Sequence, residues 1–320
     1  MHTAAENIWQ AVQAACVQTA GTDQALGVQA FSSTPHLVER LAHFSVEVLP
    51  SIDSTNTELM RRAHAGRTEP TLLVALQQSA GRGRLGRQWL SQAGDSLTFS
   101  LGIALAPQDW QGLSLAVGLA VAQALHADIA IKWPNDLWWQ GRKLAGILVE
   151  TANMDPSNPT SALANGAARY CVIGVGINLR TPPADGLRTP PVGLDALVSA
   201  SAPIASGHAA SHIATLHPST AAQALEAIAL PLLRAVLAFE QQGFAPLQAA
   251  YNARDALRGL VVRAEQASTA HASTQTPVEG VARGVDRVGA LLVHTAFGVE
   301  KISSSEVSIR PMAASNPTPV

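Results

Sequence analysis

Three glycines and three arginines share the seven residues Gly81-Arg82-Gly83-Arg84-Leu85-Gly86-Arg87. Glycine lets backbone N–H groups come close to a ligand, and guanidinium groups grip carboxylate and phosphate through charge-assisted bidentate bonds. Left unpaired, three such cations repel each other, so the spacing predicts an anion among them. A solvated loop or a nucleic-acid patch is the competing reading. The Gly-Lys-Ser/Thr ending of a Walker loop is absent. A second group is Lys132-Trp133-Pro134-Asn135-Asp136 followed by Arg142-Lys143-Leu144-Ala145-Gly146-Ile147-Leu148, which holds two of the three lysines of the chain. A lysine at a strand start can neutralise charge on a phosphoryl group in flight, and Asp136 could hold Mg²⁺. Taken alone, a Lys–Asp pair on a hairpin is more often a surface ion pair. Ser54-Thr55-Asn56 heads a helix, either as caps or as hydroxyls and an amide facing a polar ligand. Gly174-Val175-Gly176-Ile177-Asn178 places two glycines and an amide at a strand end, where close packing would explain them equally well.

These segments need elements to bring them together. Residues 44–49 alternate like a strand, while 71–76, 96–105 and 170–179 are β-rich apolar runs. Thr55-Asn56-Thr57-Glu58 has capping-box spacing, which predicts a helix to about Ala65. Residues 112–125 carry Leu113, Val117, Ala120, Val121 and Ala124 at helical spacing. Residues 129–133 and 144–151 read as strands about a turn at Gln140-Gly141-Arg142, hence a hairpin. Short helices are predicted at 8–17 and 36–42, a longer one at 220–242 with a kink at Pro231, and another at 245–257. Residues 153–168 and 181–215 read as long loops. Beyond Gly259, short strands at 261–264, 278–284, 290–294, 299–302 and 307–310 predict a small β-barrel. The expected division is an N-terminal extension 1–39, a catalytic domain 40–257, a barrel 258–311 and a tail 312–320.

Composition bounds the function. A chain of 320 residues, 47% hydrophobic and 14% charged, can bury two cores and is neither wholly disordered nor a solvated coiled coil. A net charge of −2 exerts no global pull on nucleic acid. Two cysteines cannot build a disulfide framework. Residues 1–39 contain no Lys or Arg, unlike a secretory or mitochondrial leader and unlike a DNA-binding helix-turn-helix. The longest apolar runs break before bilayer length. The expectation is a soluble, cytoplasmic protein that binds neither DNA nor membrane.

Taken in order, Ser54-Thr55-Asn56, residues 78–89, Lys132-Trp133-Pro134-Asn135-Asp136, residues 142–150 and residues 172–178 resemble biotin protein ligase, the biotin–[acetyl-CoA-carboxylase] ligase family, over about residues 45–310. The resemblance implies an α/β (α+β) fold: a mixed β-sheet flanked by helices, like the class II aminoacyl-tRNA synthetase core, with a small C-terminal SH3-like β-barrel. Residues 284–293 match that barrel's signature, whereas Ser304-Ser305-Glu306-Val307 departs from the family's Ser-Gly-Glu-Val. The implied activity is ATP-dependent attachment of biotin, through biotinyl-5'-AMP, to a lysine of biotin carboxyl carrier protein, a subunit of acetyl-CoA carboxylase. By resemblance Ser54, Thr55, Asn56, Gln78, Arg82, Gly83, Arg84 and Lys143 meet biotin. Arg84, Arg87, Trp89, Asp136 and Asn178 meet ATP, Lys143 and Arg84 are catalytic, and Asp136 neighbours Mg²⁺. The form implied is ligase-only, with a homodimer left open. The rivals are a lipoate/octanoate–protein ligase of the same core and a DNA-binding biotin sensor.

Overall fold

The computed structural model describes residues 1–17, 43–154, 168–186, 189–200, 218, 220–266, 277–303 and 307–311. Seven strands form the main sheet: β1 (Ser45–Leu49), β2 (Thr71–Ala75), β3 (Ser96–Leu105), β4 (Ala130–Lys132), β5 (Asp136–Trp139), β6 (Arg142–Asn153) and β7 (Arg169–Asn178). Their order is β1-β2-β3-β7-β6-β5-β4. β1 and β2 run parallel and every other pair antiparallel, so the sheet is mixed. The helices are α1 (His2–Val17), α2 (Thr55–His64), α3 (Leu113–Leu125), α4 (Leu194–Ala200), α5 (Ala221–Gln242) and α6 (Gln248–Ala253).

The two-residue period of a strand gives this sheet two unlike faces. Leu97, Phe99, Leu101, Ile103 and Leu105 of β3, with Cys171, Ile173, Val175 and Ile177 of β7, join one buried core with α3 and α5. On the opposite face Ala104, Tyr170 and Val172 pack with Leu59 and Ala63 of α2. Along that same face the side chains then shrink to Ser100, Thr98, Gly174 and Gly176, and only the first residues of α2, Thr55 and Asn56, reach over Ser100 and Gly174. A cleft opens there.

Local chemistry sets the helices. Ser54 caps α2, its Oγ accepting from the Thr57 N–H. Arg62 ties α2 to β1 through Glu47 at 2.8 and 2.9 Å, and these bonds raise its pKa. Thr220 and Gln223 close a capping box on α5, which carries Pro231 inside it. By length and composition α5 could cross a membrane. Its Leu225, Ile228, Leu232, Val236 and Phe239 are instead buried in the main core, which makes it a core helix.

Several expectations change. The predicted hairpin has a further strand, β5, between β4 and β6. Helix α4 occupies part of the expected loop 181–215. The predicted helix 245–257 shrinks to a 3-10 turn, Ala245–Leu247, and the short α6. The physical reason is the open edge of β4. Ile131 N–H donates to Arg254 O at 2.7 Å and Ala256 N–H to Ile131 O at 3.0 Å, so the chain leaves the helix to satisfy that edge. The predicted helix 36–42 and the turn at Ser304-Ser305 lie outside the described residues.

The C-terminal strands β8 (Val261–Gln266), β9 (Val278–Val285), β10 (Leu291–Thr295), β11 (Gly298–Ile302) and β12 (Val307–Pro311) form an antiparallel sheet of order β11-β10-β9-β8-β12. It is fastened to the main sheet. Trp133, fully buried, donates its Nε1–H to Gly289 O at 3.0 Å. Asn252 accepts from Val285 N–H at 2.9 Å, and Gln248 donates to Val285 O at 2.8 Å. Gly289, at φ 89°, lies so close to Gly112 that a Cβ there would sit 2.9 Å from its Cα.

Candidate functional site

The cleft floor is three strands in register. Ser100, Gly174 and Leu148 form one row across β3, β7 and β6; Thr98, Gly176 and Gly146 form the next. Each glycine makes room for a side chain from above. A Cβ on Gly176 would run into the Trp89 indole, and one on Gly146 would lie 3.4 Å from it. A Cβ on Gly174 would run into the Asn56 amide. Trp89 therefore lies flat on a two-glycine platform, its Nε1–H buried without a hydrogen-bond partner.

One end of the cleft is polar but neutral. Thr55 gives both its N–H (2.7 Å) and its hydroxyl (3.1 Å) to Gln78 Oε1. Ser100 Oγ lies 2.7 Å from Thr55 Oγ1 and 2.6 Å from Asn56 Oδ1. Asn56 Nδ2 donates to Leu148 O and to Glu150 Oε2, at 3.3 and 3.0 Å.

The other end is cationic. Lys143 Nζ pairs with Asp136 Oδ1 at 2.7 Å and stands 5.9 Å from the Trp89 ring centroid. Lys132 Nζ lies 5.4 Å over Trp138. Arg84 Nη1 approaches Asn135 Oδ1 at 3.5 Å. Burial lowers the pKa of Arg84, with Asp136 opposing and Arg87 adding to the drop. Burial also lowers Lys132, again opposed by Asp136, while Lys143, Arg87 and Arg84 push it further down. Four cations thus feel one another around Asp136, the one carboxylate among the described residues that line the cleft. Such a surplus is relieved by anions.

Ser54, Thr55, Asn56, Gln78, Arg82, Gly83, Arg84, Arg87, Trp89, Asp136, Lys143 and Asn178 all line this cleft of ≈ 1110 Å³. The amide nitrogen of Asn178 donates to Lys143 O and Val192 O, each at 3.3 Å, and the Asn56 amide bonds Ser100, Leu148 O and Glu150. Arg82 is paired with Glu150 at 2.8 Å, so its charge is met by a protein carboxylate, not only by a ligand as the Gly-Arg spacing alone suggests. Asp136 is one carboxylate occupied by Lys143, and no group of three metal-ligating side chains occurs among the described residues. Sequence reasoning missed Ser100, Glu150, and the cleft-lining Ile309 and Arg310 of β12. Lys132 was within reach, as one of three lysines in the chain.

Two family models match the chain: the biotin/lipoate A/B protein ligase family over residues 48–178, and the biotin protein ligase C terminal domain over residues 273–310. The bifunctional ligase/repressor BirA of Escherichia coli strain K12 is 33% identical over 273 residues, which is 83% of this chain and 74% of that protein. The biotin–[acetyl-CoA-carboxylase] ligase of Paracoccus denitrificans is 31% identical over 274 residues, 81% of this chain and 98% of that protein. Among solved structures, biotin protein ligase from Aquifex aeolicus in complex with biotin and ATP aligns at a TM-score of 0.61. It shares 24% identity and covers 83% of this chain and 99% of that one, a likeness of fold.

Proposed function

The chain belongs to the biotin protein ligase family, and from that membership we propose that it joins biotin to a lysine of a biotin carboxyl carrier protein, using ATP. The observation that carries this reading is the division of one cleft into a neutral polar end and an end with four cations around one carboxylate. A ring that wants hydrogen bonds fits the first. Two anions that must be pressed together fit the second.

A carboxylate is a poor electrophile. In the first step a biotin carboxylate oxygen attacks the α-phosphorus of ATP, the bond to the β-phosphate oxygen breaks, and pyrophosphate leaves. In the second step a carrier lysine amine attacks the acyl carbon, and AMP leaves with the electron pair of the broken C–O bond. Lys143, Lys132, Arg84 and Arg87 offset the charge that gathers when carboxylate meets phosphate. Thr55, Gln78 and Ser54 orient the ring end, and Trp89 lies beside the nucleotide. Mg²⁺ would come with the triphosphate and screen its charge, and Asp136, a carboxylate lining the cleft, is the residue that would meet it. The Gly-Arg loop excludes water from the mixed anhydride.

We also read the chain as a ligase without DNA binding. Helix α1 has no Lys or Arg; its Ala4 is buried, and its exposed Asn7 bonds Glu226 of α5 at 2.9 Å. The deciding assay is ATP–pyrophosphate exchange with biotin, lipoate and octanoate side by side, followed by transfer to a carrier domain. Exchange driven by lipoate or octanoate but not biotin would overturn the proposal.

A further inference from the structure

We infer that Glu150 is a positioning residue whose one carboxylate fixes the Gly-Arg loop to the cleft floor; the inference rests on the biotin-ligase reading above. Its two oxygens have different partners. Oε1 accepts from Arg82 Nη2 of the loop at 2.8 Å, and Oε2 accepts from Asn56 Nδ2 at the head of α2 at 3.0 Å. From Asn56 the contacts continue through Ser100 and Thr55 to Gln78, each step between 2.6 and 3.1 Å. An unbroken polar chain thus runs from the loop to the residues at the neutral end of the cleft.

Charge shows why the loop needs this anchor. Arg82, Arg84 and Arg87 share one short loop, and that loop lines the same cleft as Lys132 and Lys143. Asp136 offsets the cations on the cleft side. Glu150 is the carboxylate that offsets Arg82, and its side chain is only 21% exposed against 49% for Arg82. Glu150 is absent from the lining of the main cleft. It lines a second cavity of ≈ 930 Å³, which shares the Gly-Arg loop with the cleft. It acts on ligands through Arg82 and Asn56, so it should govern how tightly the loop holds biotin, not the charge stabilisation at Lys143.

The test is Glu150→Gln in the full chain, with biotin KM, kcat of pyrophosphate exchange and thermal unfolding measured together. Losing a charge-assisted hydrogen bond should raise the biotin KM about tenfold, with kcat held within about twofold. In an Arg82→Ala background the same change should raise KM much less, because only the Asn56 contact of Glu150 remains to be lost. If Glu150→Gln fails to fold, Glu150→Asp, which keeps the charge but shortens the reach, carries the same measurements. A lower KM would mean that Glu150 competes with the ligand for Arg82, and would overturn the proposal. So would an additive double variant, or equal loss in KM and kcat. Absence of biotin-dependent exchange in the unaltered protein would instead sink the ligase reading itself.

Discussion

Lys143 is the residue on which the chemistry turns. Its ammonium reaches Asp136 and the Trp89 face at the cationic end of the cleft. Removing one preorganised positive group from a developing phosphoryl charge costs roughly 10²–10³ in rate. Lys143→Ala should lose that much exchange activity while its denaturant midpoint stays near that of the parent. A folded variant with near-normal exchange would remove Lys143 from the mechanism. At this scale the sequence was legible where residue types are chemically extravagant: a Gly-Arg loop and two clustered lysines in a lysine-poor chain have few cheaper explanations. It was illegible for amides. Asn56 and Asn178 read the same whether they face a ligand or a backbone carbonyl, and only the fold shows that the amide nitrogen of each donates to a backbone carbonyl. Ser100 and Glu150 gave no local signal, because their meaning lies in partners 44 and 68 positions away.

Elements decide how long the intermediate stays. The Gly-Arg segment is a small hairpin, with Gly83 N–H on Arg87 O at 2.8 Å and Trp89 N–H on Gly81 O at 2.9 Å. Opening it would release the adenylate to any nearby amine. Arg84→Gly should therefore still form adenylate but label bystander proteins, read by streptavidin blot of a mixture of carrier and unrelated protein. Labelling confined to the carrier would contradict that role. A second element, residues 254–256, closes the edge of β4 and carries Asp255. Burial pushes its carboxyl up from 3.8 to about 6, against the pull of the Leu257 N–H and Arg258, and Oδ2 has no hydrogen-bond partner. Above pH 6 the folded chain holds an anion that the unfolded chain solvates better. As pH falls toward 4 the folded state takes up its proton first, and the penalty fades. Asp255→Asn should thus stabilise by about 1–3 kcal/mol at pH 7.5 and by little at pH 4.5. A gain independent of pH, in urea melts at both values, would refute the account. Strands with a clean two-residue period were legible. The extra strand β5 was not, because Trp138 and Trp139 are both buried and leave no alternation to read. The helix predicted over 245–257 was overdrawn because an unpaired strand edge outbid helix propensity.

Across the whole molecule, the C-terminal sheet and the main sheet share one apolar core, from Phe99 and Val117 to Val262, Leu291 and Ile309. The polar fastening between them is concentrated at Trp133–Gly289 and at Asn252 and Gln248 with Val285. Trp133→Phe keeps an aromatic ring but a smaller one, and leaves the Gly289 carbonyl without its indole donor. It should cost about 1–3 kcal/mol and raise the KM for ATP more than that for biotin, since the far sheet supplies Ile309 and Arg310 to the cleft. An unchanged ATP KM would make that sheet a bystander. The seam was only half legible: strand count and turns marked the second sheet, but nothing local told that a glycine near residue 289 would meet one near 112. The contribution of β12 to the wall has a temporal side. A ribosome delivers the chain from its N-terminus, and elements form as they emerge. Every loop and lysine discussed above leaves the tunnel well before residues 307–311 do. During synthesis the charged groups of the cleft therefore emerge before the strand that completes its wall, and the pocket is finished last.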